Sequence, residues 1–323
     1  MSKNEKFPPY RAAMSVNHRI LSLSNDIAFR LGKLSCLGTV EGDEDVWAEE
    51  TRYTLLQEGI ALTPSEVRAL HQGKEVPSEK KAFALLKFYS SLDKLDPYSP
   101  SFLSSYESAV YPDGVPMRKS QTIEGCDYLL PSPSKVRGLL ENLFAYAAKN
   151  REAMSPTILA CLLYYEVLSL LPYSAENGLL ARLWFKAMLS KAGRSMSALR
   201  IGKALHFNSK KLDSAFKEAS ERQDSAPFVE ALLELISSSV SSLLHEASRK
   251  ENSSSPLVDR LLSKMASGRY YSATELCALL GLKSRLGLQK NYLRPALARQ
   301  KIAMSNPLCP TDRNQRYRKK EGI

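Results

Sequence analysis

Residues 156–170, PTILACLLYYEVLSL, are apolar on every side of a helix, and this limits the fold more than any other stretch of the chain. A helix with no polar face has to be wrapped by others, so it predicts the central helix of a mainly α bundle. Ser155-Pro156 opens it, with serine as N-cap and proline at the first helical position. Tyr164, Tyr165 and Glu166 read as core and core-edge groups. A second apolar helical run, ARLWFKAML from Ala181, follows the polar break Leu171–Arg182, LPYSAENGLLAR. A loop feeding a helix N-terminus presents free backbone N–H groups and the positive end of a helix dipole, which suits a phosphate. Asn177-Gly178 is its turn element, and Arg182, one helical turn on, reaches back toward an anion.

Helical spacing recurs through most of the chain before residue 250. NHRILSLSNDIAFRLGKL carries Ile20, Leu21, Ile27 and Leu31 on a helical period, with Gly38 and Gly42 marking its end. DVWAEETRYTLLQEGIALTPSEVRAL follows, and then a helix over 80–98 with Leu85, Leu86 and Phe88 near one side, closed by Asp96-Pro97. The stretch 111–133 differs, because turn residues flank short alternating segments and predict an extended hairpin. Residues 134–154 return to helical spacing through Val136, Leu139, Leu140, Leu143 and Phe144. Two amphipathic helices fit the region after Ser197. His206 lies there beside Phe207 and reads as structural.

The serine-rich segment Ser248–Pro256 is polar and predicts a linker. Beyond it the spacing is helix, turn, helix: Ser272-Ala-Thr-Glu275 forms a capping box, Gly281 supplies the turn, and the second helix bears Lys283, Arg285, Lys290 and Arg294. KIAMSN and NQRYRKK then suit a small hairpin, which together predicts a winged helix. Charge matters here. Residues 256–323 hold fourteen Lys/Arg against four Asp/Glu, whereas the first 255 hold 31 against 30, so nearly all of the net +11 sits in the last fifth of the chain. That concentration predicts a polyanionic partner, with DNA the first candidate. The start of the chain lacks the apolar core of a signal peptide and no run of 18 apolar residues occurs, so a cytoplasmic protein without a membrane span is expected. Its five cysteines (Cys36, Cys126, Cys161, Cys277, Cys309) form no C-x-x-C pair, which argues against a disulfide frame or zinc site.

The loop resembles the signature of the Fic (Fido) family, His-Pro-Phe-x-Asp/Glu-Gly-Asn-Gly-Arg-x-x-Arg. Pro172, Tyr173 in place of Phe, Asn177, Gly178 and Arg182 match it. Leu171 stands where the family has its catalytic His, Ala175 where it has the metal-binding acid, Glu176 at a Gly and Leu179 at the first Arg. The resemblance implies a Fic-type helical bundle, transfer of AMP from ATP to a protein hydroxyl in active members, Mg2+ as the metal, and Asn177, Gly178 and Arg182 as nucleotide-binding residues. It also implies that Glu58, in Thr54-Leu-Leu-Gln-Glu58-Gly59, is the inhibitory glutamate that pairs with Arg182. Arg118 takes the place of the arginine on a β-hairpin flap that aligns the target. NPLCPTDRNQRYRKK is similar to the C-terminal extension of many Fic proteins.

The expectation is therefore an N-terminal helical region with the inhibitory helix (1–105), a Fic/Fido core (106–250) and a basic winged-helix domain (256–323). A general base supplies about 10²–10⁴ in rate, and leucine at 171 supplies none of it. The expected function is a pseudoenzyme acting as a regulatory or binding module, with DNA, a protein target or a second copy as partner. The alternative is residual protein AMPylation (adenylyltransferase activity) with ATP, Glu176 recruiting Mg2+ one position late.

Overall fold

The computed structural model describes residues 13–37, 44–72, 80–92, 94–122, 130–252, 256–307, 309–310 and 312–320. The chain forms two compact units, 1–244 and 245–323. In order, the helices are α1 (His18–Cys36), α2 (Glu44–Leu56), α3 (Pro64–His71), α4 (Lys80–Ser91), α5 (Ser101–Val110), α6 (Val136–Asn150), α7 (Pro156–Leu170), α8 (Asn177–Lys191), α9 (Arg194–Ser197), α10 (Ile201–Phe207), α11 (Ser209–Arg222) and α12 (Ala226–Asn252). The last unit adds α13 (Pro256–Lys264), α14 (Ala273–Leu280), α15 (Arg285–Leu288) and α16 (Arg294–Ala298), with strands β1 (Tyr270–Ser272), β2 (Ile302–Met304) and β3 (Arg316–Lys319).

Helix α7 is the centre of the first unit, as its composition requires: every residue from Thr157 to Tyr165 is buried. Helix α8 packs along it, and Trp184 is clamped between Phe144 of α6 at 4.3 Å and Phe102 of α5 at 6.2 Å, ring centre to ring centre. The Trp184 indole donates to the Pro97 carbonyl at 2.8 Å, which satisfies its one polar atom in the core. Ser155 does occupy the N-cap position of α7, but its hydroxyl makes no capping bond. It meets Thr157 Oγ1 at 2.9 Å and Ser24 of α1 at 3.1 Å, so it ties two helices together.

Several sequence expectations shift in detail. In α1 the buried side is Ile20, Leu23, Ile27 and Leu34, while Leu21 is half exposed, because one residue step turns a helix by about 100°. Residues 101–110 form α5, a helix not expected from the spacing, so the expected boundary after residue 105 falls inside a helix. The helix expected over 80–98 stops at Ser91. Helix α12 runs to Asn252, into the expected linker, since the polar residues there are compatible with an exposed helix. Residues Ala226–Ser248 are long and apolar enough to cross a membrane. Phe228, Val229, Leu232, Leu233, Ile236 and Val240 are nevertheless buried in the protein, as in a core helix.

The second unit has its own core, built from Leu261, Leu276, Leu288, Tyr292, Ala296 and Ile302, with Tyr271 and Tyr317 from the sheet. The sheet order is β1-β3-β2, antiparallel throughout, with Tyr317 opposite both Tyr271 and Met304. The expected hairpin is thus present, with β1 as a third strand. Ser272 and Glu275 form the expected capping box, and Gly281 takes the left-handed conformation (φ +68°) that ends α14. This is winged-helix topology, and Asp312 and Gln315 explain the DRNQ run: Asp312 accepts from Asn314 N at 2.9 Å, and Gln315 bonds both N and O of Asn306, at 3.0 Å each.

Candidate functional site

The break between α7 and α8 is held in shape by two side chains expected elsewhere, Asn177 at a nucleotide and Arg118 on the flap. Asn177 is buried; its Oδ1 accepts from Tyr173 N at 2.8 Å and its Nδ2 donates to Tyr173 O at 2.9 Å. Arg118 is buried too. It donates through Nε to Leu171 O at 3.0 Å, through Nη2 to Pro131 O at 2.9 Å and Leu170 O at 3.4 Å, and through Nη1 to Ser120 O. The bonds to Leu170 O and Leu171 O satisfy carbonyls at the C-terminus of α7, where a cation is favoured, and those to Pro131 O and Ser120 O tie in the 111–133 segment. Arg118 N donates to Pro172 O at 3.1 Å and Ser174 N to Pro116 O at 2.9 Å, so the base of the expected flap pairs with the loop itself. The described part of 111–133 forms no strand; Leu130 N donates to Gln121 O at 3.2 Å, and residues 123–129 lie outside the described residues.

Two non-glycine residues of this loop are left-handed: Leu171 (φ +41°), which caps α7, and Glu176 (φ +63°), which precedes α8. Each costs about 1–2 kcal/mol, and such strain lasts only where neighbours fix the backbone. Arg118 and Asn177 are those neighbours. Tyr173, buried in place of the expected Phe, finds a partner for its hydroxyl in Glu107 at 3.0 Å, and Arg137 balances that carboxylate at 3.1 Å. Burial, then Glu107, raises the Tyr173 phenol well above its usual range. Tyr111 is raised by burial as well, with the Glu176 carboxylate adding to the shift, and its hydroxyl donates to the Ala175 carbonyl at 3.5 Å.

Glu58 and Arg182 form a close ion pair with side chains 9% and 12% exposed. The sequence explains how Glu58 arrives there. Gly59 is left-handed (φ +78°) and ends α2, with Gly59 N donating to Leu56 O at 3.1 Å and Ile60 N to Leu55 O at 3.0 Å. The Glu-Gly pair thereby turns the carboxylate off the end of α2 toward the first turns of α8. Gly178 serves the pair through its missing side chain. A Cβ there would lie 2.9 Å from Arg182 Nη1, so glycine makes room for the guanidinium to fold back along its own helix. Arg182 Nε is buried without a partner. Leu179, at the family's first Arg, is fully buried.

Arg182 of the ion pair, with Gly178 and Leu171, lines a cavity of about 360 Å³. Tyr164, Leu168, Leu212, Phe216 and Phe228 make its walls, and Gln57, Ser209 and Asp213 are its polar groups. Its size and aromatic walls fit a nucleoside. Burial raises the Tyr164 phenol, opposed by Arg182. Sequence reasoning missed the residues of α11, because nothing in their spacing ties them to the loop. His206 does not line the cavity; its ring packs 5.4 Å from Tyr53.

Magnesium fits poorly. Among the described residues no three His, Cys, Asp or Glu side chains stand together as a metal site. The loop offers one carboxylate, Glu176.

Helix α2 is itself anchored by a buried pair. Glu50 Oε1 accepts from Gly202 N at 2.7 Å and faces Lys186 Nζ of α8 at 3.6 Å, while Lys186 donates to the Leu199 carbonyl at 2.7 Å. Burial pushes the Glu50 carboxyl up and the Lys186 ammonium down. In the second unit Lys283, Arg285, Lys290 and Arg294 are all exposed.

Residues 99–189 match the model of the Fic/DOC family, and residues 256–319 match that of the filamentation induced by cAMP protein Fic-like, C-terminal domain. A Fic family protein from Desulfovibrio desulfuricans G20 has a similar structure (TM-score 0.63, 21% identity, covering 97% of this chain and 100% of that one). So does a Fic domain containing signaling protein from Bacteroides thetaiotaomicron (TM-score 0.55, 16% identity, covering 69% and 97%). Fic-1 from C. elegans is a third (TM-score 0.52, 13% identity, covering 72% and 74%). At these identities the likeness is one of fold. No curated protein matches the chain. The general activity of the family is transfer of AMP or another nucleotide to proteins. The chain carries a Fic/DOC-family domain at residues 99–189, followed by a Fic-like C-terminal domain at residues 256–319.

Proposed function

We propose that this chain is a nucleotide-binding regulatory module on a Fic scaffold, with its anion site latched and ordinary AMP transfer lost. The observation that carries the reading is the buried Glu58–Arg182 pair, whose arginine lines the nucleoside-sized cavity. A carboxylate on Arg182 competes for the cation with a nucleotide phosphate, so binding has to displace Glu58. Loss of transfer follows from Leu171, which neither accepts a proton nor orients a hydroxyl. The poor fit of the loop to Mg2+ supports the same reading.

The test is calorimetric titration of ATP, with and without Mg2+, into the wild-type protein and Glu58→Gly. Binding is expected in Glu58→Gly alone, and it disappears when Arg182→Ala is added. Failure of both proteins to bind ATP at millimolar concentration overturns the reading and leaves the bundle as a scaffold. The alternative is residual adenylyltransfer with Glu176, the loop's one carboxylate, recruiting Mg2+. It requires binding that strengthens with Mg2+ and weakens in Glu176→Gln.

For the C-terminal unit we infer a contact surface for duplex DNA. Arg285, Lys290 and Arg294 are exposed on the second helix of a helix-turn-helix, and Lys283, expected on that helix, is exposed in the turn just ahead of its Ser284 N-cap; this exposed cationic surface supports it.

A further inference from the structure

The second helix of the C-terminal unit is one continuous helical run, 285–298, in which a π turn over Gln289–Leu293 joins α15 to α16. Leu288, Tyr292, Leu293 and Ala296 face the core. The opposite ridge is Leu286, Lys290 and Arg294, spaced one turn apart, with Gly287 and Asn291 beside it. Leu286 is 74% exposed, and it sits in the first turn of the run. From 276 to 311 the sequence has six Lys/Arg and no Asp or Glu. Of the unit's acidic groups, Glu275 is tied to the Ser272 cap and Asp312 to the turn at Asn314.

A single exposed leucine is ordinary on a protein surface. Its surroundings make this one informative. A protein partner that used Leu286 would need apolar area around it, and here the ridge carries a cation at each following turn. A DNA major groove has the matching pattern, with isolated thymine methyl groups set among polar base edges and flanked by phosphates. The first turn of a recognition helix is also the part that reaches the bases. The deep, narrow major groove of RNA excludes a helix, and uracil has no methyl group.

We propose that Leu286 is a base-contacting residue that packs on the C5 methyl of a thymine, while Lys290 and Arg294 hold the ridge to the DNA by charge. The proposal rests on the DNA reading of this unit. It assigns sequence preference to a side chain that carries no charge.

The experiment uses the full-length protein. A preferred duplex is selected from a random-sequence library, and affinity is then measured at fixed salt as each thymine is replaced by uracil, which deletes only the methyl. One replacement is expected to weaken binding about fourfold, the worth of moving one methyl from water to an apolar contact. The same replacement is expected to leave Leu286→Ala unaffected, and 5-methylcytosine at a cytosine in place of that thymine restores part of the loss only in wild type. Leu286 is exposed, so the variant should melt with the wild type, which separates a lost contact from a lost fold. Salt-dependent binding without sequence preference overturns the proposal and keeps the DNA reading. So does a uracil effect that persists in Leu286→Ala, or the absence of any uracil effect. No binding to any duplex at low salt overturns both.

Discussion

Asn177 bonds both the N–H and the C=O of Tyr173, so one side chain sets the shape of the loop ahead of α8. Asn177→Ala leaves two buried backbone groups unpaired and is expected to cost about 2–3 kcal/mol in urea unfolding. Asn177→Asp keeps an acceptor for Tyr173 N and should lose less. A loss under about 0.5 kcal/mol for the alanine variant would show that the loop is held some other way. The role was only partly legible in the sequence. Asn-Gly announces a turn, but which backbone groups the amide meets depends on a partner four residues back across a left-handed corner. Glu176 illustrates the opposite case, since its left-handed backbone runs against its own preference and is imposed by its neighbours.

At the scale of elements, α2 is docked by Glu50 against Lys186 and Gly202, and it is this docking that carries Glu58 to Arg182. A Cβ at Gly202 would lie 3.1 Å from the Glu50 carbonyl oxygen, so the close approach of α2 and α10 depends on that glycine. Lys186→Met leaves Glu50 buried without its cation and should cost about 3–5 kcal/mol near neutral pH. Burial raises the Glu50 carboxyl above its ordinary value of 4.5 in the folded protein. With the folded value above the unfolded one, the folded state binds the extra proton, so stability is greatest below the unfolded value and falls as pH rises through the folded one. Lys186→Met removes the attraction that opposes this shift. Its unfolding free energy should therefore decline more steeply than that of wild type as pH rises above the ordinary carboxyl value. A parallel decline in both proteins would refute the assignment. Glu50→Gln in the same background should restore much of the loss.

Across the whole molecule, charge divides the chain more sharply than composition does. Nearly all the excess lies beyond residue 255, in a unit with its own core. If that unit meets phosphates, the logarithm of DNA affinity should fall linearly with the logarithm of salt concentration. Neutralising Lys290 and Arg294 together should then flatten the slope by roughly two units, near one per lost phosphate contact. An unchanged slope would place the contact on other residues. This measurement reports charge alone, whereas the uracil series reports Leu286, so the two can disagree.

The sequence by itself determined the central helix, the loop after it and the winged-helix topology, because each follows from local rules: an all-round apolar run, a turn pair before a helix, a capping box and a left-handed glycine. It also marked Glu58 and Arg182, through a resemblance of spacing. Tertiary structure decided what those residues touch. It gave Arg118 and Asn177 to backbone groups, closed the ion pair from positions 124 apart in the chain, and drew cavity walls from α11. Helix period and turn chemistry are readable over a few residues, whereas the partner of a buried charge is chosen by whichever element packs against it, and that choice is made only when the core closes.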